Sequence, residues 1–181
     1  MRSTILLFVG LTAVVGALLG CSTEPKSAEK KMALENDITV ALNQFEAADP
    51  GLQAELKTVA GYAVFPRVGK AAAGVGGAYG RGEVFAGGKR IGYCDLSQAT
   101  VGPQLGAQNF RELILFKDNA ALDRFKANQL TFAAGASAIA IKPGAVSSMA
   151  YKDGVAVFAQ STEGLMLELA IGGQSLRFTP S

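Results

Sequence analysis

The sequence predicts an α+β domain: N-terminal helices packed on a curved antiparallel β-sheet or small β-barrel, with one further short helix. Three observations carry this. Apolar residues Leu34, Ile38, Leu42 and Phe45 recur at intervals of four, four and three, which is one face of a helix. From Gly61 onward the chain is a succession of short apolar runs rich in β-branched and aromatic residues, separated by turn signals. Between them lies Gly61 to Gly88, GYAVFPRVGKAAAGVGGAYGRGEVFAGG, with a glycine density (Gly69, Gly74, Gly76, Gly77, Gly80, Gly82) that no helix tolerates.

Taken in order, Met1 to Gly20 has one charge, Arg2, then an apolar run from Ile5 to Leu19 closing on small residues. That is the pattern of a secretory signal, shorter than the roughly 20 apolar residues a spanning helix needs. Leu18-Leu19-Gly20-Cys21 resembles a bacterial lipobox, in which the cysteine is acylated and becomes the mature N-terminus; an ordinary signal with a chance cysteine is the alternative. Ser22 after it resembles lipoproteins forwarded to the outer membrane, facing the periplasm. Residues 21–28 then read as anchor and solvated tether, and 29–181 as a single domain of a size that needs no second core. The first helix is expected over Glu29 to Ala48; its polar face carries more acid than base, which favours packing on the domain over lying on a membrane. Asp49 is expected to cap a second, shorter helix with Pro50 at its first position and Leu52 and Leu56 inward.

The glycine-rich stretch opens as a strand at Tyr62, Val64 and Phe65 and is expected to break at Pro66, which cannot donate to a central ladder. Turns are expected at Pro66 to Gly69 and at Gly87-Gly88. Further strands are expected at Glu83 to Phe85, Arg90 to Asp95, Ala99 to Val101, Gln104 to Asn109 and Glu112 to Phe116. Asp118 is an N-cap for a short helix through Leu122 and Phe125, ending near Asn128. Strands resume at Phe132 to Ile141, Ser148 to Tyr151, Val155 to Gln160, Leu165 to Ile171 and Ser175 to Phe178, with hairpin turns at Asp153-Gly154 and Gly172-Gly173. In so curved a sheet the glycines mark bends and close backbone approaches, a reading preferred to direct contact with a ligand.

The composition argues against catalysis. There is no histidine, the commonest general base and metal ligand, so neither a metal nor a cofactor is expected. The glycines spell no nucleotide motif: Gly74-x-Gly76 meets Tyr79 where a third glycine would stand. With Cys21 acylated, Cys94 has no disulfide partner and reads as a small apolar strand residue. The net charge is +2 but unevenly spread: Lys57, Arg67, Lys70, Arg81, Lys89 and Arg90 face only Glu83 between residues 57 and 90. That polarity is too local for a nucleic-acid module.

The residues Phe65, Pro66, Val68, Lys70 and Ala71, followed by Val75, Gly76, Gly77, Gly80 and Gly82, resemble the opening motif of the SYLF domain family. The likeness continues through residues 102–108, 112–116, 134–138 and 154–158, covering most of the chain from about Leu34. What the resemblance implies is binding of phospholipid head groups. The SH3 or FYVE domains of eukaryotic relatives have no counterpart in this sequence, so their actin biology is not carried over. The sequence therefore leads to a non-enzymatic, lipid-anchored envelope protein that binds anionic phospholipids through Arg67, Lys70, Arg81, Lys89 and Arg90, with Cys21 as the lipid attachment site. The alternative is a non-catalytic envelope module that docks another protein, its partner unknown.

Overall fold

The computed structural model describes residues 23–133, 136–164 and 171–181. Cys21, the segment before it and all but the last residue of the strand expected at Leu165 to Ile171 lie outside these. The fold is α+β, an N-terminal helix on a mixed, open sheet with further short helices. Of the two forms the sequence leaves open, the curved sheet is the one adopted.

Helix α1 (Ala28–Ala48) starts where Ser27, in extended backbone, accepts a hydrogen bond from the Lys30 amide. Ile38, Ala41 and Phe45 are buried against the sheet, with Leu34 and Leu42 half-buried at the margins of that contact. The residues before it are no free tether: Thr23 and Pro25 are buried and Glu24 pairs with Lys31, so the chain is already docked two residues after Cys21. Asp49 does not cap a helix beginning at Pro50. Helix α2 (Leu52–Glu55) starts later, and the Asp49 carboxylate instead joins two elements, accepting from the Gly51 amide at 3.1 Å and the Val146 amide at 2.8 Å. A buried carboxylate needs more than one donor, and the first turn of a helix has amides to spare.

The six strand segments expected between Tyr62 and Phe116 are two long ones. Strand β1 (Gly61–Ala86) and β2 (Lys89–Phe116) form one antiparallel hairpin around Gly87 and Gly88, both at positive φ. Pro66 does not end β1; it sits in a register shift between Phe65 and Val68, a bulge that absorbs its missing N–H without stopping the ladder. A second shift sets Gly102, Pro103 and Gln104 of β2 against Gly74 alone, between the pairs Ala73–Leu105 and Val75–Val101. Helix α3 (Asn119–Lys126) has Asp118 as N-cap, accepting from the Ala121 amide at 2.9 Å, and buries Leu122 and Phe125.

Strand β3 (Ile139–Ala140) is what forms, among the described residues, of the strand expected at Phe132 to Ile141. Helix α4 (Ala145–Ser148) occupies the start of the expected Ser148 to Tyr151 strand, its Ser147 and Ser148 hydroxyls donating to the Gly144 carbonyl at 3.0 and 2.9 Å. Strand β4 (Val155–Gly164), after a tight turn with Asp153 and Gly154 at positive φ, pairs with the second half of β2, and β5 (Gln174–Pro180) with the first half. Strand β3 runs parallel to β4 on its far edge.

Both faces of the sheet are covered. Val64, Leu113, Leu115 and Phe158 meet α1 and α4, while Phe65, Phe110, Ile114, Phe116 and Leu176 form a second core with α3. The unbroken run Leu113 to Phe116 follows from this, since neither face of the strand meets water. The second half of β1 folds back over its first half. A Cβ at Gly82 would lie 2.2 Å from the Val64 carbonyl oxygen, one at Gly80 2.8 Å from a Val68 methyl and one at Gly76 2.6 Å from the Ala72 Cβ. These pairs are centred on Ala73 and Gly74, where the register shifts.

Gly82→Ala should therefore cost about 1–3 kcal/mol in urea denaturation, since the clash is with backbone. Gly69→Ala, whose Cβ would meet only the Asn109 side chain at 3.5 Å, should change stability by less than about 0.5 kcal/mol. Equal effects at the two positions would contradict the fold-back.

Candidate functional site

The five basic residues read from the sequence are not brought together in one place. Arg67 is exposed at the Pro66 bulge, and its carbonyl lies where Gly80 crosses β1. Arg81 is held by Asp95 at 3.1 Å and donates to the Tyr79 hydroxyl, which itself donates to Asp95. Arg90 bridges the buried Glu83 at 3.0 Å and Glu35 of α1 at 3.2 Å, with its guanidinium over the Tyr93 ring. It is a structural clasp between hairpin and helix. Burial raises the Glu83 carboxyl above its usual range, opposed by the hydrogen bond from Arg90. Lys89 is exposed beside the hairpin turn opposite Ala86, five residues along the strand pair from Arg81, about 17 Å at 3.3 Å per residue.

Lys70 differs most from expectation. No turn carries it outward; it stands in continuous strand opposite Gln108, on the inward side with Val68 and Ala72, and is 2% exposed. Its ammonium has no hydrogen-bond partner among the described residues. Lys70 borders an open groove of about 690 Å³ whose other walls include Gly69, Ala71, Gly77, Tyr79 and Asn109. The groove lies beside residues 69–71 and 77–79 of β1, between the Gly76–Ala72 and Gly80–Val68 approaches, and small side chains keep it open.

Alternation along β2 puts Gln108, Phe110, Glu112, Ile114 and Phe116 on one face, so two polar side chains are built into an otherwise apolar interior. Gln174 donates its amide to Glu112 at 3.1 Å, and Gln98 donates to the Gly172 carbonyl at 2.8 Å. Sequence reasoning passed over this buried polar row. The signal was the inward phase of Glu112, between Phe110 and Ile114, once the strand is read as one piece. Burial pushes the Glu112 carboxyl up to about 8, with the Gln174 hydrogen bond opposing. Cys94 is buried in the same core and its thiol is raised well above its ordinary value by burial, first of all, and by neighbouring carboxylates, which keeps it protonated and unreactive.

Among the described residues no three His, Cys, Asp or Glu side chains cluster as metal ligands, and no helix is long and apolar enough to cross a membrane. No protein-family model matches the chain, and no curated protein matches it.

The Glu112 environment has a pH consequence. Its folded state keeps a proton that the unfolded chain releases near 4.5, so this group lowers stability progressively as pH rises from about 4.5 to about 8 and levels off above that. Glu112→Gln keeps an oxygen to accept from Gln174 and abolishes the titration. In urea denaturation the variant should match the parent near pH 4.5 and exceed it at pH 8.5 by on the order of 3 kcal/mol. Parallel curves across that range would show that Glu112 is not held protonated.

Proposed function

We propose that the protein is a lipid-anchored cell-envelope protein whose domain binds the head group of an anionic phospholipid in the groove beside Lys70. The observation that carries this is Lys70, which borders the groove and whose buried ammonium has no hydrogen-bond partner among the described residues. A buried cation without a counter-charge costs several kcal/mol, and a phosphate entering the groove offsets that cost. The same lysine is the basic residue of the SYLF-like motif, so the resemblance and the geometry favour one side chain independently. Arg67 and Lys89, both exposed, act at longer range, each adding about 1 kcal/mol of attraction near an anionic surface. Arg81 and Arg90 serve the fold through their carboxylate partners, and the ligand's charge is met by Lys70.

Acylation at Cys21 supplies retention, and the outer membrane facing the periplasm is the location that Ser22 favours. Because Thr23 and Pro25 are packed, the domain is held close against the bilayer and a weak head-group affinity suffices. No redox, metal or hydrolytic step is part of this reading.

The chain from Thr23, which contains both apolar cores, should co-sediment with phosphatidylglycerol vesicles and hardly with phosphatidylcholine vesicles. Lys70→Met, which fills the same space without charge, should weaken that binding roughly tenfold, and Lys89→Met only about threefold, while circular dichroism stays unchanged. Equal losses for the two variants would return the site to diffuse surface charge. A separate check concerns the anchor: Cys21→Ala in the full chain should yield a species released from the membrane fraction or an uncleaved precursor. Membrane recovery at the parent's mature mass would exclude acylation there.

A further inference from the structure

The folded hairpin ends in an apex without charge. Ten residues separate Lys70 from Arg81 and fifteen separate Asp95 from Arg111, and none is ionisable except Tyr79. The two runs are each other's register partners, Ala71 with Ala107, Gly77 with Ala99 and Tyr79 with Ser97, so they make one continuous uncharged tip. Val75 at its end is 69% exposed and Tyr79 53%, two of the four large hydrophobic side chains exposed among the described residues. The other two, Met32 and Val40, lie on α1 among exposed acids, Glu29, Glu35 and Asp37.

We propose that this apex inserts into the boundary between head groups and acyl chains of an anionic bilayer, so that the Lys70 groove meets its ligand as a membrane-embedded lipid. The inference rests on the head-group reading above and adds the orientation of the domain. Three features select a lipid surface over a protein partner. Among the tip residues whose side chains are described, the exposed ones before Tyr79 and its partner Ser97 are Ala71, Ala73, Val75, Ala99 and Ala107 among glycines, with none of the Trp, Tyr or Arg anchors that dominate protein interfaces until Tyr79. The charges that bound the tip are complementary to an anionic layer: Lys70, Arg81 and Arg111 against Asp95, which Arg81 already neutralises. Tyr79 lies at that collar with its hydroxyl in the Arg81–Asp95 network, the arrangement of an aromatic residue at a membrane interface, apolar ring towards the lipid and polar end towards water. The reach agrees as well. From Tyr79 to Val75 the strand rises about 13 Å at 3.3 Å per residue, enough to enter the roughly 5–10 Å of the head-group and acyl boundary. Pairing with β2 satisfies the ladder groups on one edge of the inserted strand.

The chain contains no tryptophan, so Val75→Trp gives a single fluorophore at the tip and Met32→Trp one on α1. Each full-length variant is reconstituted through its own N-terminus into phosphatidylglycerol or phosphatidylcholine vesicles containing brominated acyl chains. The expected result is a shift to shorter wavelength and roughly twofold quenching of Trp at 75 in phosphatidylglycerol, reversed by Lys70→Met, with Trp at 32 unaffected. Quenching of Trp at 75 in both lipids regardless of Lys70 would support insertion and overturn the head-group reading. No quenching at 75 while the chain from Thr23 still co-sediments with phosphatidylglycerol would overturn insertion and leave the head-group reading standing. Quenching at 32 and not at 75 would likewise overturn it, making α1 the membrane contact.

Discussion

The rest of the structure depends on one contact, the approach of β1 to itself. Gly76, Gly80 and Gly82 bring the second half of the strand to within side-chain-free distance of Ala72, Val68 and the Val64 carbonyl. Ordinary sheets pack about 10 Å apart because side chains fill the space between them. Here the glycines remove those side chains at the crossing, and the layers close locally. Where small residues give way to Phe65, Val84, Cys94 and Phe110, the layers separate again and an apolar core fills the gap. Between the approaches to Ala72 and Val68, beside Lys70 and Ala78, the space stays open as the groove. Core and groove are thus two outcomes of one crossing, set by which side chains flank it.

Much of the fold is legible in the sequence because local chemistry and tertiary packing agree. The apolar stripe of α1, the Asp118 cap, the Gly87-Gly88 and Asp153-Gly154 turns and the strands at Val155 to Gln160 and Ser175 to Phe178 all act within a few residues, and all are found in place. The failures have a common cause. Pro66 and Gly102-Pro103 look like strand ends because proline lacks a donor, yet a bulge accommodates each inside a continuous ladder. Whether proline ends a strand or bulges it is decided by what lies on the far side of the break, and that depends on partners some forty residues away. Asp49 misled in a similar way: its local neighbours read as a helix cap, while its second oxygen is claimed by Val146, almost a hundred residues later.

The candidate site was partly legible. Composition located the basic stretch and the motif singled out Lys70, but the side of the sheet each residue occupies follows from strand phase. Placing a turn at Pro66 to Gly69 lost that phase, so the inward position of Lys70 was not legible. The bulge moves Val68 to the inward side, and Lys70 follows it two residues on. Arg81 and Arg90 were visible as charges; that Asp95, Glu83 and Glu35 would claim them required the register and the docking of α1. Glu112 was hidden in an apolar run whose alternation is masked because both faces are buried.

The long hairpin also fixes how the chain assembles. Its first pair, Ala86 with Lys89, spans the two glycines, and each later pair extends from one already made until Gly61 meets Phe116. Loop closure is therefore incurred in small steps, although the outermost partners are far apart in sequence. The exception is the doubling over at Ala73 and Gly74, which brings Val64 to Gly82 only after both halves exist. Helix α1 is synthesised before any of the strands it covers, and its sites on Val64, Leu113, Leu115 and Phe158 complete only when β4 joins β2. The topology thus favours assembly from the middle of the chain outward, and the N-terminal helix, first to be made, is among the last pieces whose packing site is complete.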